Sequence, residues 1–174
     1  MEPYWDDAKY VLQTLLLKVR GLDENGLDLV FTKASIEAIN EKDMHRIMEK
    51  MNHHEARPRK EVHGNIVERL VEILDDYKTD ITKKRRMFHK VRNMTVIVLT
   101  TGIWDETREE VGKVIISFIQ DFKRIMDQAY MGPQFSIEFV QFGNDPIATE
   151  VLQYLDDDLE GIPYVRTLLI FSCY

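Results

Sequence analysis

Met94-Thr95-Val96-Ile97-Val98-Leu99, closed by Thr100-Thr101-Gly102, is the stretch on which the fold turns. It is β-branched and almost wholly apolar, a pattern that predicts a central parallel strand covered on both faces. Downstream, Asp105-Glu106 opens a helix expected over roughly 106–130, with Val111, Val114, Ile115, Phe118, Ile119, Phe122 and Ile125 at helical spacing. Gly132-Pro133 breaks it, and Phe135 to Phe142 reads as a second strand ending in Gly143-Asn144-Asp145-Pro146. A short helix over Ile147 to Leu155 precedes Asp156-Asp157-Asp158, and Leu168 to Phe171 reads as extended. Strands separated by helices of roughly ten or more residues point to parallel βαβ units. The expected class is therefore α/β, a doubly wound, mostly parallel open sheet with helices on both faces.

Upstream, Trp5, Ala8, Val11 or Leu12, Leu15, Leu16 and Val19 recur at three- and four-residue steps, predicting an amphipathic helix that starts near Pro3. Asp23-Glu24-Asn25-Gly26 reads as a tight turn and Leu27 to Thr32 as a short strand. Ser35 to about Met51 carries a helical pattern through Ile36, Ile39, Met44, Ile47 and Met48. His53 to Lys60, with Pro58, reads as a loop. Ile66, Val67, Leu70, Ile73, Leu74 and Tyr77 recover the helical period, ending in the polar run Asp75 to Asp80. The basic run Lys83-Lys84-Arg85-Arg86, with Lys90 and Arg92 beyond, then falls in a helix-to-strand connection.

The chain has 174 residues, the size of one ordinary domain, and no linker or repeat divides it. An apolar fraction of 44% excludes a collagen-like or mainly disordered chain. No window reaches the roughly 18 consecutive apolar residues of a membrane span, so no membrane partner is expected. Thirty acids against 23 bases give a formal charge of −7, which argues against nonspecific nucleic-acid binding. A single cysteine, Cys173, cannot form an internal disulfide, and a reducing, cytoplasmic location is expected.

Several runs, taken in order, are similar to von Willebrand factor A-like domains of fungal type. Val19 to Thr32 resembles the entry to that family's second strand, and Leu70 to Tyr77 resembles the helix before its fourth. Val98-Leu-Thr-Thr-Gly-Ile-Trp104 resembles the end of the fourth strand; Phe135 to Asp145, with Ala148, Leu152 and Leu155 to Leu159, resembles the fifth strand and its helix. The resemblance implies a metal-ion-dependent adhesion site at the carboxyl ends of the strands, built from an Asp-x-Ser-x-Ser loop, a Thr and an Asp. Here the first loop is absent, the Thr position falls near Gly64-Asn65, and the Asp position falls on Thr101. Without those carboxylates no Mg²⁺ site is expected, and no cofactor. The family comparison also implies a domain truncated at its amino end, lacking the first strand. Leu168 to Ser172 then reads as an edge strand. Alternatively it fills the vacant centre, within the chain or exchanged between two chains of a homodimer, or another polypeptide supplies that strand.

Other constellations read as scaffolding. His45, His53, His54 and His63 lack the ligand set and spacing of a zinc site. Asp156-Asp157-Asp158 point in different directions, and Asp23, Asn25 and Asp28 do not complete an EF-hand. Ser35, Ser117, Ser136, Ser172 and Cys173 lie in no nucleophile elbow, so no enzyme is expected. Trp104, beside Thr101 and Gly102 at a strand's carboxyl end, can anchor a protein, with Asn144 and Asp145 on the same surface. The expected function is a non-enzymatic protein-interaction module with an unidentified protein partner. The alternatives are a divalent-ion adhesion domain completed by another chain, and an α/β enzyme whose site is unrecognised.

Overall fold

Alternation decides how the strands pack. The computed structural model describes residues 2–19, 27–32, 34–55, 65–89, 91–126, 135–158 and 165–170, with the backbone alone for 2, 34–40, 54–55, 158 and 165–170. Strand β3 (Met94–Thr100) pairs in parallel with β4 (Phe135–Phe142), from Met94 opposite Phe135 to Thr100 opposite Gln141. On β4's other side lies β5 (Val165–Ile170), also parallel, with Ile137 opposite Val165 and Phe142 opposite Ile170. Among the described residues the order is β3-β4-β5, which places Val165–Ile170 at an edge beside β4.

Met94, Val96 and Val98 join buried Phe135, Ile137 and Phe139 on one face of this sheet. Three helices contribute to the core on that face: α3 (Ile66–Arg86), α4 (Arg108–Ile125) and α5 (Pro146–Gln153). Parallel strands laid down in sequence order, with crossovers of one hand, put their connecting helices on one side. The other face starts polar: Thr95 and Ile97 are exposed, and the Ser136 hydroxyl donates to Thr95 Oγ1 at 3.1 Å. Burial on both faces, expected for Met94 to Leu99, is therefore not what β3 has. The fold is mixed α/β.

Helix α3 corrects a second expectation. Asn65 caps it by accepting from Glu68 N at 2.7 Å, and the helix runs through the polar segment to Arg86. Lys78–Asp75 and Lys84–Asp80 pairs, each 2.6 Å, support that segment on the helix surface, and Ile81 is fully buried. The basic run is thus the helix's last turn, where cations suit the dipole, and not a connection. Helix α4 opens on a capping box between Thr107 and Glu110. The expected break at Gly132-Pro133 lies outside the described residues.

The chain divides into two compact units, Asn65–Phe171 and Met1–Gly64 with Ser172–Tyr174. In the latter, α1 (Trp5–Val19) and α2 (Met44–Glu55) flank a hairpin of β1 (Leu27–Phe31) and β2 (Ala34–Glu41). Leu16 and Ile47 form its core with Leu12, Leu27, Leu29, Met44 and Met48. The helix expected over Ser35 to Met51 is therefore a strand followed by a helix. The turn expected at Asp23 to Gly26 lies outside the described residues.

An aromatic cluster ties α3 and α4 to the sheet: Phe118 meets Phe135 at 4.6 Å between ring centroids, and Tyr77 stacks on Phe122 and Phe135. The Tyr77 hydroxyl donates to Arg92 O at 2.6 Å, joining α3 to the approach to β3. Burial, with the Asp80 charge adding and Arg92 opposing, pushes its pKa up to about 12. A phenol ionises near pH 10 in an unfolded chain, so this contribution is complete below pH 10. It is lost as pH rises from 10 towards 12. Tyr77→Phe should show a smaller fall in denaturant midpoint over that interval than the parent; an identical fall in both would show that Tyr77 does not contribute.

Candidate functional site

The carboxyl ends of β3 and β4 carry two buried polar side chains, and each organises a loop. Thr100 is 6% exposed, and its Oγ1 accepts from Gly102 N at 2.9 Å and from Trp104 Nε1 at 3.0 Å. These bonds fold the loop back over the strand, so that Trp104 lies 6.1 Å from the Phe139 ring. Gln141 is 1% exposed, and its Nε2 donates to Thr149 Oγ1 at 3.2 Å, which donates onward to Asp145 O at 3.0 Å. Both polar groups are satisfied within the protein.

Asp145 starts α5. Its Oδ1 accepts from Ile147 N at 2.9 Å and Ala148 N at 3.0 Å, and Pro146 occupies the first turn. The helix so placed presses Ala148 onto the other loop. A Cβ at Gly102 would lie 2.8 Å from Ala148 Cβ, and Gly102 holds φ +75°. Position 102 needs glycine on both counts.

Between the loop and α5 lies a cleft of about 160 Å³, room for about five waters or one side-chain head group. Gly102, Trp104, Ala148 and Val151 line it, with Asp145 and Glu106 as its acids. Ile103 and Ile147 also line it and are 66% and 74% exposed. Glu106 Oε2 is buried and accepts no hydrogen bond. Nearby, Arg108 joins α4 to α5: Nη1 lies 2.8 Å from Glu150 Oε1, and the guanidinium sits 4.8 Å above the Tyr154 ring. Hydrogen bonds that Arg108 donates to Glu109 and then to Glu150 raise its pKa, and Arg108 in turn holds Glu109 below the ordinary carboxylate range.

Of the residues singled out from sequence, Gly102, Trp104 and Asp145 meet at this cleft. Thr101 is half-buried in the same loop and Asn144 is exposed, and neither lines it. Trp104, expected as an anchor for a partner, has its N–H committed to Thr100 and its ring against Phe139. The loop around Gly64 lies outside the described residues, as do His54's side chain, His63 and Cys173. Glu106 was read only as a helix-opening acid, and Ile103 and Ile147 carried no signal of their own.

The adhesion-site metal implied by the family resemblance does not fit these residues. Thr101 stands at the expected Asp position, and one oxygen of Asp145 is taken by two backbone N–H groups. Among the described residues no three His, Cys, Asp or Glu side chains come together to hold a metal ion. No helix among them is long and apolar enough to cross a membrane. Comparison with family models, curated proteins and solved structures finds no match for this chain.

Gly102→Ala should cost about 2–4 kcal/mol, from a strained positive φ together with overlap against Ala148. Adding Ala148→Gly should recover the overlap but not the φ cost, as read by denaturant midpoints. If the single and double variants are equally destabilised, the close approach is not the cause.

Proposed function

We propose that the protein is a non-enzymatic protein-interaction module whose cleft between the 102–106 loop and α5 receives a basic side chain of its partner. The observation that carries this is Glu106 Oε2, buried in the cleft wall without a donor. An unpaired buried acceptor costs about 1–3 kcal/mol, which a donor from outside recovers. A guanidinium or ammonium suits it best, since charge-assisted bonds are the stronger ones and Asp145 adds a second negative charge. Exposed Ile103 and Ile147 offer apolar contact to the aliphatic stem of such a side chain. The cleft lining offers two carboxylates and apolar side chains, a complement to a cationic head group on an aliphatic stem.

The finer reading of the fold belongs to the same proposal: a degenerate von Willebrand factor A-like domain working in the cytoplasm. A cleft at the carboxyl ends of parallel strands supports the first part, and a lone cysteine supports the second. The comparisons lend neither part support.

An arginine peptide and its citrulline counterpart test the site by amide chemical shifts. Arginine should move the amides of Gly102, Glu106 and Ala148, and citrulline should not; Glu106→Gln should weaken the response about tenfold. Equal shifts from citrulline, or an unchanged response in Glu106→Gln, would remove the cation from the reading.

A second partner is suggested by β3, whose outer edge pairs with no described strand and carries half-exposed Ile97. It suits edge pairing with a second copy of the chain. Light scattering should then show mass rising with concentration, and Ile97→Lys should hold the protein monomeric. A parent that stays monomeric at every concentration ends this reading.

A further inference from the structure

Helix α3 ends on Lys83-Lys84-Arg85-Arg86 and then turns through Met87 and Phe88. The turn is closed by Phe88 N donating to Arg85 O at 3.1 Å and His89 N donating to Lys84 O at 2.8 Å. This is a Schellman ending, with Phe88 at the left-handed position that glycine normally takes. Phe88 has φ +56° and is 98% exposed, and Met87 is 53% exposed. The helix dipole accounts for the cations. It does not account for a large apolar ring held in a strained conformation and pointed at solvent.

A second observation lies beside it. Lys83, Arg86 and Met87 line an open groove of about 580 Å³ between α3 and α4, together with Thr79, Thr82 and Arg124. Asp121 is the groove's acid, and Lys78 and Arg124, each 3.4 Å away, offset its charge. Lys84 is paired with Asp80, whereas Lys83, Arg85 and Arg86 have no carboxylate partner among the described residues.

We propose that this tip docks on an anionic membrane surface. Phe88 and Met87 enter the interfacial layer, while Lys83, Arg85, Arg86 and Arg124 meet lipid phosphates, one of which fits the groove. Basic clusters beside an exposed aromatic bind anionic leaflets in this way, by apolar insertion combined with surface charge. The chain's net charge of −7 favours a single orientation, because the remaining acidic surface is repelled by the same lipids. A nucleic acid fits less well: one protruding ring is not a platform for successive bases. This is attachment to a surface, and the absence of an apolar span, on which the expectation of no membrane partner rested, does not bear on it.

Co-sedimentation of the full chain with vesicles of phosphatidylcholine, alone and mixed with phosphatidylserine, tests the proposal. Binding should appear only with the mixed vesicles and vanish as salt approaches about 1 M. Phe88→Ser should lower partitioning about tenfold, and Lys83→Glu with Arg86→Glu on the order of a hundredfold. Phe88→Trp, at a side chain that packs on nothing, should shift its emission to the blue on mixed vesicles and report insertion directly. Binding unaffected by Phe88→Ser, an unshifted Phe88→Trp emission on bound protein, or no sedimentation with mixed vesicles would each overturn the proposal. The last holds whether or not the chain takes up a single-stranded RNA oligonucleotide instead.

Discussion

The apolar face shared by the paired strands β3 and β4 is the constraint from which the rest of the Asn65–Phe171 unit follows. Six inward side chains, Met94, Val96, Val98, Phe135, Ile137 and Phe139, form one apolar face that water must leave. Helices α3, α4 and α5 contribute to the core that covers it. A strand of seven residues spans about 23 Å. A helix of 21 residues spans about 32 Å. Helix α3 therefore outruns the strand it covers, and no residue of it beyond Ile81 is buried. What lies past that point is freed from packing, which is why its composition can be four cations.

The opposite end of the sheet is governed by polar groups that burial has left no choice about. Thr100 and Gln141 continue the inward-facing series, so their hydroxyl and amide arrive in a place from which water is excluded. Each recruits partners from the loop that follows: Gly102 and Trp104 for Thr100, Thr149 for Gln141. The two loops converge as a result, and the contact of Gly102 with Ala148 fixes how closely. The cleft is the residue of that convergence. It is small because the approach is close, and acidic because Glu106 opens the turn before α4 while Asp145 caps α5.

Much of this was legible where the signal is local. The apolar spacing in α4 names its buried face: Val111, Ile115, Phe118, Ile119 and Phe122 are all buried. Gly102, which closes β3, is required where it stands, and Asp145-Pro146 is a helix start in sequence as in structure. Residues 34–41 were misread because Ile36 and Ile39 imitate a helical step in a segment rich in Ala and Glu, and pairing with β1 overrides those preferences. The extent of α3 was missed because a run of charges looks like a connection until its pairs at three- and four-residue steps are recognised as helical. Glu106 could not be identified at all. Its isolation depends on α5, far along the chain, and on a hydrogen bond it does not make.

The two ends of this unit thus differ in sign for a common reason. Helix dipoles favour negative charge before helices and positive charge after them: α4 begins among acids and α5 on the single cap Asp145, while α3 ends among bases. In an ordinary helical layer such charges are solvated, and nothing more follows from them. Here each end also carries a feature that solvation does not satisfy: a buried oxygen without a donor in the cleft, and an apolar ring without a pocket at the tip of α3. The first calls for a cation and the second for an apolar layer beneath anions. The acidic cleft and the basic tip would repel each other's ligands, so the two proposals made from them call for different partners and stand or fall separately.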